Sequence, residues 1–263
     1  MYPFPSSCPQ PRISRSKTSA KSRSQPLFGD ICRLVKPSSI LEIGSWMGAS
    51  SIAWAEAAKE VQPDAVVYCV DTWLGSVEHF LSSCGDEWNL DKLSLSDYGP
   101  TFFDDFLGNV WDSGFQDRIV PFRAASSSAL PFFAQQGLTF DVVYVDGAHD
   151  THSVWTDVTG ALKVTSKKGL VCGDDFCWSS VRNGLRFLAL THRSPLHFYV
   201  RGADFVVLTA SSVDYGQSLA RLGYGRWRPL AVRENLHRLV CWCRWGLPER
   251  LRPPRSSALS SGG

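Results

Sequence analysis

Short apolar runs alternate along this chain with stretches of helical period. The clearest unit is Phe140 to Phe176, FDVVYVDGAHDTHSVWTDVTGALKVTSKKGLVCGDDF. Phe140 to Val145 is rich in Val and aromatics, the character of a strand buried on both faces. Val154, Val158, Ala161 and Leu162 then recur at helical spacing, with Asp150 placed to cap the first turn. Lys167, Lys168 and Gly169 are expected to stop that helix before a second apolar run, Leu170 to Cys172. A strand, a helix and a strand of this length predict a right-handed crossover between parallel strands.

The same alternation extends on both sides. A helix is expected through Phe28, Ile31, Leu34 and Val35, followed by an apolar strand ending at Ile43 and a helix through Ala49, Ile52, Ala53 and Ala57. Ala65 to Val70 reads as a second strand and Ile119 to Phe122 as a third, with a helix opening over Ala124 to Leu130. His197 to Arg201 and Phe205 to Leu208 flank Gly202-Ala203-Asp204, the spacing of an antiparallel hairpin. Residues Thr72 to Gly114 exceed a plain connection and predict an inserted helical lid, with Trp73, Trp88, Phe102, Phe103 and Phe106 serving mainly as packing.

The ends differ from this middle. Residues 1–25 hold Ser, Pro, Arg and Lys and no acidic residue, so they bury too little apolar surface to order themselves. They read as a solvated basic tail or a targeting segment, giving a cytoplasmic or an organellar location. The expected domain spans 26–213, followed by a helical extension over 214–251 and a Pro/Ser/Gly-rich tail over 252–263. In the extension, Leu236, Leu239, Val240 and Cys243 share one helical face, expected to pack on the domain. A net charge of +2 on 263 residues gives no reason to expect a nucleic-acid partner. No apolar run reaches membrane-spanning length, so a soluble protein is expected. The eight cysteines include no C-x-x-C pair, which speaks for reduced thiols and against a zinc site. Homo-oligomer formation is left open.

The candidate chemistry gathers at strand ends. Glu42-Ile43-Gly44-Ser45-Trp46-Met47-Gly48 puts two glycines at a turn before a helix, where backbone approaches a ligand closely and free N–H groups point at it. Ile43 stands near where a dinucleotide fingerprint wants glycine, which weakens a nicotinamide reading. Asp71 closes the second strand and is positioned to accept hydrogen bonds from ribose hydroxyls. Ser126, Ser127 and Ser128 cap a helix or touch an adenine edge. Asp146, Asp174 and Asp175 are expected at one sheet edge, where like charges call for a cation between them. Oxygen ligands of this kind suit magnesium.

These segments together resemble the class I S-adenosylmethionine-dependent methyltransferases, and most closely the macrocin O-methyltransferase type. The resemblance covers roughly Ser38 to Leu208. It rests on ILEIGSWMG, on VDTWLGS from Val70 to Ser76, and on VDGAH followed by GDDF. It implies an α/β fold with a doubly wound, mostly parallel seven-stranded sheet and an antiparallel last strand. S-adenosyl-L-methionine is implied as cofactor, its methionine part at Glu42, Gly44, Ser45 and Gly48, its ribose at Asp71, and its adenine near Ser126. Metal-dependent members carry ligands matching Asp146, Asp174 and Asp175. Related enzymes that act on antibiotic sugars read D-G-D after the fourth strand, whereas Ala148 stands here. That leaves His149, with Asp146, as the expected catalytic pair, since an imidazole is suited to taking a hydroxyl proton near neutral pH. The implied reaction is metal-assisted O-methylation of a small hydroxylated molecule such as a sugar. A nucleotide-sugar or NAD-type oxidoreductase and a non-catalytic binding module are the competing readings.

Overall fold

The structure is a computed structural model that describes residues 25–76, 95–96 and 99–229. The basic segment before Gln25, Trp88 and its neighbours in the expected lid, and the amphipathic helix Leu230–Trp245 with its tail lie outside the described residues.

Helix α1 (Pro26–Val35) leads into β1 (Ser39–Ile43), α2 (Ala49–Lys59) and β2 (Val66–Asp71). Helix α3 (Phe102–Asp112), β3 (Ile119–Arg123) and α4 (Ser126–Gln135) follow. Then come β4 (Phe140–Val145), α5 (Thr151–Val164), β5 (Thr165–Gly173) and α6 (Ser179–Thr191). The described residues end with the hairpin β6 (His197–Arg201) and β7 (Asp204–Leu208), α7 (Tyr215–Arg221) and β8 (Gly225–Trp227). The sheet order is β3-β2-β1-β4-β5-β7-β6-β8. The first five strands run parallel, and β7 is antiparallel to both β5 and β6.

Alternation within the strands builds two cores, one on each face. Ile40, Val142 and Tyr144 pack with Phe28, Trp54 and Phe106 of α1, α2 and α3. Leu41, Ile43, Val143 and Val145 pack with Leu130, Val158 and Leu185 of α4, α5 and α6. This is why the central strands read as continuous apolar runs: both of their faces are covered.

The doubly wound sheet with a reversed strand is present, with two differences from expectation. Among the described residues it carries eight strands rather than seven, because Gly225–Trp227 pairs antiparallel with β6 and extends the sheet edge. Helix α5 also stops earlier than Lys167. It ends at Val164, the Thr165 hydroxyl donates to the Ala161 carbonyl at 2.8 Å, and strand β5 begins at Thr165. Lys167 and Lys168 are exposed residues of that strand, beside a register shift between Phe140 and Val142. In the described part of the insertion, α3 packs into a core through Phe102, Phe106 and Val110, all buried.

Candidate active site

The carboxyl ends of β1, β2, β4 and β5 open into a cleft of about 720 Å³, within the size range of small-ligand sites. Three elements build it: the loop after β1, the turn after β2 and the paired turns after β4 and β5.

The loop after β1 bends through two left-handed glycines, Gly44 at φ 87° and Gly48 at φ 85°. Gly44 also passes against the next strand end, since a Cβ there would lie 2.1 Å from the Asp146 carbonyl oxygen. Asp71 fastens this loop. Its Oδ2 accepts from the backbone N–H groups of Ser45 at 2.9 Å and Trp46 at 2.8 Å, and its Oδ1 accepts from Trp73 N at 2.7 Å. The Trp73 indole donates to the Trp46 carbonyl at 2.7 Å and closes the clasp. Asp71 thus holds the loop and faces the cleft at once.

Glu42 lies beneath the loop, fully buried and outside the cleft lining. Ser51 of α2 donates to its Oε2. Burial is the main influence on Glu42 and pushes its pKa up to about 7, against the hydrogen bond from Ser51. A carboxyl whose folded pKa is raised keeps its proton in the native state while the unfolded chain releases it. The native state therefore loses stability as pH rises from the unfolded value toward 7. Glu42→Gln, which stays neutral, is expected to raise the melting temperature at pH 8 and change it little at pH 4. The gain at pH 8 is on the order of 3 kcal/mol, and thermal melts at the two pH values check it.

The acidic turns meet at the other end of the cleft. Asp146 follows β4, and the buried Tyr144 hydroxyl donates to its Oδ2 at 3.1 Å. Asp150 caps α5, as expected, by accepting from His152 N and Ser153 N at 3.0 Å each. Between these two residues His149 Nε2 lies 2.8 Å from Asp175 Oδ2 and 3.8 Å from Asp146 Oδ1. Donor atoms of Asp146, His149 and Asp175 all fall within 4.8 Å of one another. Burial disfavours a charged His149, but the Asp146 and Asp175 carboxylates beside it outweigh that and push its pKa up to about 10. Burial raises Asp146 too, with Asp174 and Asp175 adding to it and His149 opposing.

Of the expected residues, Gly44, Ser45, Asp71, Ser126, Asp146, His149, Asp174 and Asp175 line this one cleft. Gly48 caps α2 behind it. Asp174 faces the cleft but is engaged differently from Asp175: its Oδ2 accepts from Gln25 Nε2 at 2.8 Å and its Oδ1 from the Asp175 N–H at 2.7 Å. That second contact supports Asp175 in a left-handed conformation at φ 59°. Sequence reading missed Ser50 in the first turn of α2, Asp157 on α5, and Trp178, whose ring lies 5.2 Å from that of His149. Ser50 was findable, because it follows the glycine turn directly.

Residues 41–176, just over half of the 263-residue chain, match the methyltransferase-domain family. The chain belongs to this family. With its sheet order and reversed β7, it is a class I methyltransferase. Among solved structures it is similar to CalS11, a calicheamicin methyltransferase, at 17% identity and a TM-score of 0.50, over 73% of this chain and 81% of that one. A Staphylococcus aureus protein provisionally described as a caffeoyl-CoA O-methyltransferase gives 12% and 0.50, over 76% and 86%. The O-methyltransferase TomG from Streptomyces achromogenes, solved with S-adenosylmethionine, gives 19% and 0.49, over 72% and 79%. At such identities the first two likenesses speak for the fold alone. No curated protein matches the methyltransferase significantly. Among its described residues, no helix is long and apolar enough to cross a membrane.

Proposed function

We propose that this methyltransferase uses S-adenosylmethionine for metal-assisted O-methylation of a small hydroxylated acceptor such as a sugar. One observation carries the reading: the glycine loop clasped by Asp71 and the Asp146–His149–Asp175 cluster open into the same cleft. Gly44, Ser45, Gly48 and the amino terminus of α2 would receive the methionine part of the cofactor, with Glu42 supporting the loop from beneath. Asp71 would take the ribose, and Ser126 would lie at the adenine. The carboxylates lining the cleft suit a cofactor that carries a sulfonium and an amine.

The donor set fits a divalent ion. The donor atoms of Asp146, His149 and Asp175 lie within 4.8 Å of one another, close enough for the carboxylate oxygens to share one hard cation. Asp146 and Asp175 would hold the ion, with Asp174 beside them and the His149 imidazole kept for proton transfer. A bound ion would polarise an acceptor hydroxyl and lower its pKa. The protein supplies alignment, since the donor carries an already activated methyl group. Cationic His149 is no base. Neutral His149, once other charge compensates Asp146 and Asp175, is the side chain placed to take the acceptor's proton.

Calorimetric titration with S-adenosylhomocysteine and with NAD tests the cofactor. Binding of the first and not the second is expected. Asp71→Ala removes an acceptor from three backbone N–H groups and should weaken S-adenosylhomocysteine by about 10–100-fold, the worth of a charged hydrogen bond. Unchanged affinity in Asp71→Ala counts against its assignment, and preferential binding of NAD overturns the methyl-donor reading.

A further inference from the structure

Gln25 stands at the entry to α1, yet its side chain does not cap that helix. It reaches instead to the acidic turn, where its Nε2 donates to Asp174 Oδ2 at 2.8 Å. Chemistry fixes the direction of this amide: an ionised carboxylate only accepts, so the amide must offer its N–H. Among the described residues, Gln25 Oε1 is then buried and meets no hydrogen-bond donor. An unsatisfied buried carbonyl calls for an explanation, and the hold on Asp174 supplies one.

That hold is passed on to the cluster. Asp174 Oδ1 accepts from the Asp175 N–H at 2.7 Å, and Asp175 has a left-handed φ of 59°. A residue with a side chain keeps such a conformation only where its surroundings impose it. On the far side of the turn, Phe176 N donates to the Ala203 carbonyl at 2.8 Å. Asp175 is therefore turned between two fixed points, and its Oδ2 is presented 2.8 Å from His149 Nε2.

The helix behind Gln25 is itself anchored. Arg201 Nη1 donates to Asp30 Oδ2 at 2.7 Å and ties α1 to the β6–β7 hairpin. Phe28 packs edge-on against Trp54 and Tyr144, with ring centroids 4.9 and 5.7 Å away. Tyr144 in turn is the residue whose hydroxyl donates to Asp146. One helix thus stands behind both carboxylates of the cluster, through Phe28 and Tyr144 on one side and through Gln25 and Asp174 on the other.

We propose that Gln25 is a positioning residue of the cation site: through Asp174 it sets the turn that offers Asp175 to a divalent ion. This rests on the metal-assisted reading above. Carboxylates that ligate a metal rely on outer partners to fix their direction, and loss of such a partner weakens metal binding by about 10–100-fold.

The test is calorimetry of manganese binding to the full chain, with S-adenosylhomocysteine as the control ligand. Gln25→Met keeps the length of the side chain and removes its donor. It should weaken manganese by about tenfold or more and leave S-adenosylhomocysteine affinity unchanged. Gln25→His, whose ring restores an N–H at that position, should recover most of the loss. Asp174→Ala removes the group that Gln25 holds, so adding Gln25→Met to it should weaken manganese no further. Should Gln25→Met not fold, Gln25→Asn, one methylene shorter, takes its place in the same cycle. Unchanged manganese affinity in Gln25→Met, no recovery in Gln25→His, or losses that multiply in the double variant overturn the proposal and leave the cation reading standing. Failure of the unmodified protein to bind manganese removes that reading and this inference together.

Discussion

Methyl transfer is expected to vanish in EDTA and to return on adding magnesium or manganese. Asp146 and Asp175 converge on His149, with donor atoms inside 4.8 Å. Two carboxylates this close destabilise each other unless positive charge lies between them. The two carboxylates push the His149 pKa up to about 10 against burial, so a protonated imidazole supplies that charge at neutral pH. A divalent ion supplies the same compensation and adds what a proton cannot, polarisation of an acceptor hydroxyl. Asp146→Ala should abolish activity and metal binding together. Asp175→Asn should weaken the metal dependence without removing it, because an amide oxygen ligates without charge. His149→Ala should slow turnover by roughly 10²–10⁴-fold, the usual worth of a general base, with S-adenosylhomocysteine affinity unchanged. Initial rates with a panel of hydroxylated acceptors, with and without chelator, decide the matter. Full activity in EDTA sinks the metal role and leaves the acidic cluster as a contact for the cofactor or the acceptor.

Gly44→Ala is expected to abolish S-adenosylhomocysteine binding and destabilise the fold by about 3–5 kcal/mol, combining a left-handed backbone penalty with overpacking. Gly44 sits at φ 87°, and its N–H donates to the Val70 carbonyl at 2.9 Å. An added Cβ would lie 2.1 Å from the Asp146 carbonyl oxygen and 2.6 Å from the Gly147 Cα. These obstacles are backbone, so no side-chain rotation relieves them. Relief would require β1 and β4 to part at the edge where the glycine loop and the acidic cluster meet. Gly114→Ala is the matched control. Gly114 has φ 72° and nothing within 4 Å of the added carbon, so it carries the conformational cost alone, about 1–2 kcal/mol. Thermal melts of the two variants side by side measure the difference. Equal melting temperatures would show that the close approach at Gly44 has no energetic weight.

The sequence alone determined the central strands, the glycine turns and the edge at which the acidic residues gather. These are local or topological properties. A strand covered on both faces must be apolar throughout, as β4 is, and a right-handed crossover brings Asp146 and Asp174-Asp175 to one edge whatever their side chains do. The Asp150 cap was legible for the same reason: its hydrogen bonds reach only two and three residues ahead. Where competing signals were local and close in strength, reading failed. Lys167 and Lys168 look like a helix end, yet β4 captures Thr165 into a strand. The three-residue β8 carries too little pattern to stand out.

Tertiary structure alone decided how the polar atoms divide their work. Asp71 binds backbone across 25 and 26 residues, Gln25 reaches Asp174 across 149, and Ser126 meets Asp157 between two helices. Asp175 rather than Asp174 joins His149, because the backbone turns left-handed at Asp175 while Asp174 is held by Gln25 and by its neighbour's N–H. The physical reason is that burial of apolar faces is written into residue type and period, which each segment carries by itself. The partner of a carboxylate oxygen depends on which backbone donors the fold brings within 3 Å, and those come from segments far away in the chain.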